Sequence, residues 1–447
     1  MPRKRSRVPL GVWLNGRLVG QLRRAPSGAI DFRYAGEWLD WQHAFPVSLS
    51  LPLREDPYVG DPVVAVFDNL LPDSGDVRTA VAARTGAEGT DVYSLLAAIG
   101  RDCVGALQFL PEGQEPPRAG AVEAEPISDE EIADRLRNLS VAPLGLGDDE
   151  AFRISIPGVQ EKTALFYWRN RWHVPLGASP TTHILKPQIG LHQGRELTRS
   201  VENEHLCLRL LEAMGLPVAH TEIVDFAGVR ALVVERFDRL WTRDGRLLRR
   251  PQEDLCQALS VPASRKYENR GGPGITDILE LLKSSDEPEE DRRLFMQAQI
   301  AFWLLAATDG HAKNFSVFLF PSGGFRLTPL YDVMSTQPLA DRGQLNHGQM
   351  KLSMAVGDDR QYRLDRITPK HFIETATAAG MPVGAVEGVF DELAEKLPAA
   401  VEEVGNSLPA DFPPDLFDSI TTAALRRRAF RPDPNVGGPS GPTVDRG

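Results

Sequence analysis

Residues 294–307 are apolar almost all round a helical repeat, and they run directly into Thr308-Asp309-Gly310-His311-Ala312-Lys313-Asn314-Phe315-Ser316. A helix with no polar stripe is covered on every side, so this stretch predicts the buried spine of a sizeable lobe. Packed side chains then fix the position of the chain at its end. The groups there come as a carboxylate, a carboxamide five residues on and, eighteen residues after Asn314, a second carboxylate in Leu330-Tyr331-Asp332. Phosphoryl transfer asks for that order of groups. One Asp orients the acceptor hydroxyl and takes its proton, while an Asn and a second Asp hold magnesium on nucleotide phosphates. Asp309 is thus the candidate base, and Asn314 and Asp332 are the candidate metal ligands. An Asp-Gly pair at a helix end also makes local turns, as does an Asp after Pro329-Leu330-Tyr331; the three residues together favour the chemical reading. His311 and Lys313 stay open between phosphate or ribose contacts and plain solvation.

A second set of residues suits the other end of a nucleotide. Ser155-Ile156-Pro157-Gly158-Val159-Gln160-Glu161-Lys162-Thr163 puts Pro and Gly between two predicted strands. Such a loop can turn backbone N–H groups toward phosphate oxygens. It lacks the Walker A pattern, and alone it reads equally well as a hairpin. Lys186, on the third predicted strand of the same lobe, adds weight, because a strand-borne Lys reaching the α- and β-phosphates accompanies such loops. The bland alternative is a surface charge at a strand end before Pro187. Glu202 and Glu204 open the next helix; one of them pairs with Lys186, or both are an exposed acidic helix start. Val234-Glu235-Arg236-Phe237-Asp238 joins strand-rich to helix-rich sequence. Adenine is commonly held there by main-chain groups, which leaves the side chains of Glu235 and Phe237 secondary.

The remaining pattern predicts an α+β protein with a two-lobed kinase-like fold. Asn15-Gly16 between two alternating runs is a type I′ hairpin signal. Helices are expected over 61–100, with Phe67-Asp68-Asn69-Leu70-Leu71-Pro72-Asp73-Ser74 at a helix end. Strands are expected over 152–166, 172–175, 183–186, 222–224 and 230–237, a helix over 201–214, and mainly helices from 252 on. The boundaries read as a β-rich N-terminal subdomain 1–111, a Pro-rich linker 112–126, a nucleotide-binding lobe 127–250, a helical catalytic lobe 251–431 and a disordered tail 432–447. A cleft between the last two lobes is a natural nucleotide site.

Composition excludes several other classes. A formal net charge of −11 counts against unaided DNA binding and suits a basic partner. Cys103, Cys207 and Cys256 lie far apart without a C-x-x-C pattern, which predicts buried thiols in a reducing compartment. No apolar run approaches the ~20 residues of a membrane span. The basic start Met1-Pro2-Arg3-Lys4-Arg5 leads into no signal-peptide core, so a cytoplasmic location is expected.

Taken in order, these motifs resemble the HipA family of bacterial serine/threonine kinase toxins. The pieces that carry the resemblance are Ser155–Thr163, Ile184-Leu185-Lys186-Pro187, Glu202-Asn203-Glu204-His205, Val234–Arg239, Gln252–Gln257, Thr308–Ser316 and Leu330-Tyr331-Asp332. The N-terminal hairpin and Phe67–Ser74 look like that family's first domain. The resemblance implies a kinase fold nearer to phosphoinositide kinases than to ordinary protein kinases, using ATP and Mg2+. It places the nucleotide against Pro157, Gly158, Val159, Gln160, Glu161, Lys162, Lys186, Glu235, Arg236, Phe237, His311, Ala312, Lys313, Asn314, Tyr331 and Asp332, with Asp309 as the base. It implies aminoacyl-tRNA synthetases, glutamyl-tRNA synthetase among them, as substrates, with growth arrest and persistence as the result. It implies a small helix-turn-helix antitoxin, HipB-like, as partner, the pair repressing its own operon. It implies autophosphorylation on the loop serine, here Ser155, where a phosphate of about −1.5 to −2 charges would repel the nucleotide and expel the loop.

Two departures stand out. Pro157 replaces the Ala or Gly of many members and stiffens the loop. Thr377 and Gly380 come after His371-Phe372-Ile373-Glu374-Thr375-Ala376 where some members place DNA-contacting Lys and Arg, so operator DNA is expected only through the antitoxin. The rival readings are a small-molecule or lipid kinase on the same fold, and an idle co-repressor.

Overall fold

The computed structural model describes residues 8–146, 153–192 and 194–429. The basic start at 1–7 and the tail expected to be disordered at 432–447 lie outside the described residues. The chain is α+β. Its first unit is a five-stranded sheet of β1 (Leu10–Leu14), β2 (Arg17–Arg24), β3 (Ile30–Tyr34), β4 (Tyr58–Val59) and β5 (Leu107–Pro111), in the order β4-β3-β2-β1-β5. Asn15 and Gly16 make the β1–β2 turn with φ of 45° and 82°, the left-handed pair that a type I′ turn requires. The helices Asp61–Phe67, Gly75–Thr85 and Val92–Ile99 come next, and the Ser74 hydroxyl accepts the Val77 N–H to cap the second.

The second unit is an antiparallel six-stranded sheet. It comprises β6 (Ala124–Pro126), β7 (Thr163–Trp168), β8 (Arg171–Pro175), β9 (His183–Pro187), β12 (Thr221–Phe226) and β13 (Val229–Glu235), in the order β12-β13-β9-β7-β8-β6. A small hairpin of β10 (Gly190–His192) and β11 (Arg195–Leu197) stands beside it. Alternation along β13 sends Ala231 and Val233 to one face, with Leu185, Ile132 and Leu136, and Leu232 and Val234 to the other, with Val201. The helices Asp129–Arg137 and Ser200–Ala213 cover those two faces.

The strand expected from 152 begins only at Thr163. Residue 152 lies outside the described residues, and residues 153–162 form no ladder within this sheet. They run instead along the N-terminal unit, through isolated bridges Cys103↔Ser155 and Pro72↔Gly158. Pro157 lacks a ladder donor and Gly158 has φ 114°, so regular pairing cannot pass through them.

The third unit is mainly helical around Pro288–Leu305, which starts earlier than its apolar run and stops at Ala306, φ 54°. The early turns are polar because Glu289 and Glu290 reach the surface and the buried Asp291 accepts from Arg326 Nε with both carboxylate oxygens. Phe295, Ile300, Phe302 and Trp303 are buried as the all-round apolar pattern predicts. One continuous apolar core joins the first unit to this one, from Leu10 in β1 to Ala424 in the helix Pro414–Arg428. The three cysteines are buried free thiols, and no described helix is long and apolar enough to cross a membrane.

Candidate active site

A cavity of about 640 Å³ lies where the three units meet. At its centre Lys186 Nζ, carried on β9, donates to Glu204 Oε1 at 2.7 Å and to Asp332 Oδ1 at 3.0 Å. Burial alone would lower the Lys186 pKa, but the charges of Asp332 and Glu204 outweigh it and keep the ammonium charged. Of the two acids at the helix start, Glu204 is therefore the partner. Glu202 instead accepts from Gln188 and Arg230. Burial would likewise raise the Asp332 pKa, yet Lys186 and Lys162 hold that carboxyl well below its usual range. Asp332 sits at φ 58°, a costly backbone conformation for Asp that the surrounding packing sustains.

Asp309 comes just after the buried helix and lines the cavity with an exposed side chain. Desolvation by the cavity walls pushes its pKa up to about 6, the Tyr267 hydrogen bond partly opposes this, and the charge of Asp332 adds to it. Its carbonyl accepts from Asn314 Nδ2 at 2.8 Å and from the His311 N–H at 2.8 Å. The Asn314 donation fixes its amide orientation and leaves Oδ1 as the end free to bind a cation.

The candidate phosphate loop lines the cavity from Pro157 to Lys162. Lys162 Nζ donates to the Pro157 carbonyl at 2.9 Å, and burial, then the charge of Lys186, pushes its pKa down to about 8. Gly158 has φ 114°, a backbone conformation that L side chains rarely adopt, so the turn beside that ammonium favours glycine. Gln160 donates to the Pro187 carbonyl, tying the loop to β9, while Val159 is exposed. Ser155 lies outside the cavity walls, fully buried, its hydroxyl donating to the Leu70 carbonyl at 2.7 Å and its N–H to the Asp102 carbonyl at 3.0 Å.

Of the two residues left open, neither His311 nor Lys313 is solvated, and both line the cavity. Burial, then Lys266, pushes the His311 pKa down to about 3, and its Nδ1 has no partner among the described residues. Lys313 Nζ reaches into the N-terminal unit, donating to Asn69 O at 2.7 Å and Asn69 Oδ1 at 3.0 Å, with Asp73 at 3.3 Å. Ala312 is fully buried in the core and is not among the cavity walls. In the hinge, the N–H groups of Glu235 and Arg236 are already spent on the His220 and Thr182 carbonyls, each at 2.9 Å. Arg236 lines the cavity, but its side chain is buried among Asp102, Asp238 and Thr181. Phe237 meets Tyr331 at 5.8 Å between ring centroids and makes an apolar wall. Tyr331 is pinned by Ser316 Oγ at 2.6 Å and the Lys313 carbonyl at 3.1 Å.

Three wall residues escaped the sequence reading. Lys266 pairs with Asp73 at 2.8 Å, and the Tyr267 hydroxyl donates to Asp309 Oδ1 at 2.8 Å. The usable signal was a Lys-Tyr pair shortly before Gly271-Gly272-Pro273-Gly274, a loop built to hold its backbone tightly.

Residues 154–401 match the HipA-like C-terminal domain, and residues 10–110 match the HipA N-terminal domain. The chain belongs to the HipA family. It is 35% identical over 399 residues to the putative kinase Y4mE of Sinorhizobium fredii, covering 88% of this chain and 91% of that protein. It is 30% identical over 415 residues to the serine/threonine-protein kinase toxin HipA of Shewanella oneidensis, covering 90% of each. The solved complex of the Shewanella oneidensis HipA with HipB and its operator DNA superimposes with a TM-score of 0.79 at 27% identity, over 94% of this chain and 97% of that one. The HipA family resemblance and the α+β kinase-like fold expected from the sequence both hold.

Proposed function

We propose that this chain is an ATP- and magnesium-dependent serine/threonine protein kinase and the toxin of a toxin–antitoxin pair. The observation that carries the reading is Lys186 bonded to both Glu204 and Asp332 in the same cavity as Asp309 and Asn314. That set supplies a cation for polyphosphate, two oxygen ligands for a hard metal and a base for the acceptor. The adenine lies against Phe237 and Tyr331, and the phosphates run along 157–162 toward Lys162 and Lys186. Asp309 orients the acceptor hydroxyl and takes its proton. With a pKa of about 6 it is ionised at neutral pH yet more basic than an ordinary Asp, as a proton acceptor should be.

The residues present fit magnesium. Asp332 is held ionised, and Asn314 has its amide hydrogen committed and its oxygen free. Those two residues would hold the ion, which when bound neutralises phosphate charge.

The acceptor is a translation component, an aminoacyl-tRNA synthetase such as glutamyl-tRNA synthetase, whose modification arrests growth and favours persistence. The toxin named among the relatives supports this assignment. A HipB-like helix-turn-helix antitoxin is the partner, and operator DNA is reached through it. The net charge of −11 and the relative solved with HipB and operator DNA support that part. Self-phosphorylation on Ser155 is the off-switch, and its burial means that the loop must first leave Leu70.

Labelled ATP and magnesium, added with the protein to a cell lysate, test the proposal. Label should enter one protein band on serine or threonine, and Asp309→Asn should lose that transfer while still binding ATP. Label in a lipid or small molecule, or equal transfer by the variant, would sink it.

A further inference from the structure

Tyr267 lies in a loop clamped on either side of it. Lys266 is held by Asp73 of the N-terminal unit at 2.8 Å. The Glu268 carboxylate accepts the Ala355 N–H and pairs with Arg360 at 2.9 Å. Gly272 donates its N–H to the Tyr267 carbonyl, and a Cβ there would stand 2.0 Å from the Arg265 carbonyl, so the turn tolerates no side chain. The Tyr267 ring is set edge-on against His311, centroids 4.9 Å apart at 83°. With both neighbours and the ring fixed, the hydroxyl has one place to go, 2.8 Å from Asp309 Oδ1.

Asp309 needs such a partner. Its carboxylate stands at a helix exit beside Gly310 and, among the described residues, accepts no other side-chain hydrogen bond. A base free to rotate spends much of its time misaimed, and a displacement on the order of 1 Å can cost about 100-fold in rate.

Resting on the kinase reading above, we propose that Tyr267 is the positioning residue for the base: its hydroxyl ties down Oδ1 of Asp309 and leaves the other carboxylate oxygen to the acceptor. The N-terminal unit takes part through Asp73 and Lys266, which hold the loop that carries the tyrosine.

Purified full-length protein with magnesium and ATP tests this, reading ADP release and phosphate incorporated by intact mass. Tyr267→Phe keeps the ring on His311 and removes only the hydroxyl; Tyr267→Ala removes both. We expect kcat to fall about 10- to 100-fold in Tyr267→Phe, with the KM for ATP within about twofold and Tyr267→Ala little worse in kcat. A Phe variant as active as the native chain would make the ring the only contributor and overturn the inference. A faster Phe variant would overturn it too, because the hydroxyl would then be competing with the acceptor. Loss of ATP affinity along with kcat would also overturn it, pointing to a cleft-shaping role. A native chain that turns over no ATP refutes the kinase reading itself, whereas an active native chain with an unaffected Phe variant refutes only the role of Tyr267.

Discussion

Replacing Asp102 by Asn should destabilise this protein more than removing one of the cations around it. Asp102 is 1% exposed and accepts from the Thr181 N–H at 3.0 Å, Thr181 Oγ1 at 2.8 Å, Arg236 at 3.3 Å, Arg239 at 2.8 Å and Arg249 at 2.9 Å. Asp238 is the other acid of the network, pairing with Arg236 and Arg239 and accepting the Gly105 N–H at 2.7 Å. Three guanidinium groups thus face two carboxylates. The excess shows in Arg239, whose pKa burial, then Arg236, pushes down to about 10. Burial would raise the Asp102 pKa, but Arg239, Arg249 and Arg236 hold it well below its usual range.

Each such attraction is worth roughly 4 kcal/mol at 4 Å with an effective dielectric of about 20. Relief from burying a carboxylate offsets part of the three, and breaking a buried pair typically costs about 3–5 kcal/mol net. Asn keeps the shape and removes the charge, so the network becomes more positive. Arg249→Met moves it toward neutrality, and the Ala178 carbonyl that Arg249 binds keeps its bond from Gln108. Its cost should stay near 1–2 kcal/mol, about that of a hydrogen bond. Thermal melting followed by calorimetry reads the difference. If the chain unfolds as one unit, Asp102→Asn should lower Tm by about 4 °C and Arg249→Met by about 1–2 °C. The charge argument is refuted if Arg249→Met proves the more damaging, or if Asp102→Asn melts with the native protein.

Two further outcomes are expected. Ser155→Asp puts a charge against the Leu70 carbonyl, so it should drive 155–158 out of place and weaken ATP binding at least about tenfold, whereas Ser155→Ala should bind ATP normally; equal affinities by calorimetric titration would contradict the switch. Glu253, 1% exposed, has its carboxyl pushed by burial from 4.5 to about 8, and its Oε2 has no partner among the described residues. The folded state keeps a proton there that the unfolded state releases, so stability should fall by on the order of a few kcal/mol as pH rises from about 4.5 to about 8. Glu253→Gln should therefore gain stability over the native chain across that window, and a pH-independent difference would contradict it.

Local features were legible in the sequence because each states its own requirement. Asn15-Gly16 can be little other than a tight turn, and the all-round apolar helix had to be buried. Asp309, Asn314, Asp332 and Lys186 could be picked out as candidates by chemistry and spacing, and the structure brings all four to one cavity. Asp73 and Lys266 were not, because they meet across 193 residues of chain and a lone acid and a lone lysine have many uses. Lys313 sits inside the motif, yet its partner Asn69 lies in another unit, 244 residues away. The strand expected from 152 failed because Pro157 and Gly158 read as a hairpin tip, whereas the segment pairs with the N-terminal unit.

The packing of the N-terminal unit's helix Asp61–Phe67 on the later helix Leu255–Ala258 has a consequence for synthesis. The ribosome releases the N-terminal unit first, with one wall of its interior still unmade. At about 5–20 residues per second that wall arrives roughly 7–30 seconds later. Through that interval the nascent chain shows a greasy surface to chaperones and to its own siblings. A message cut short before Leu255 should therefore yield aggregates in place of a working fragment.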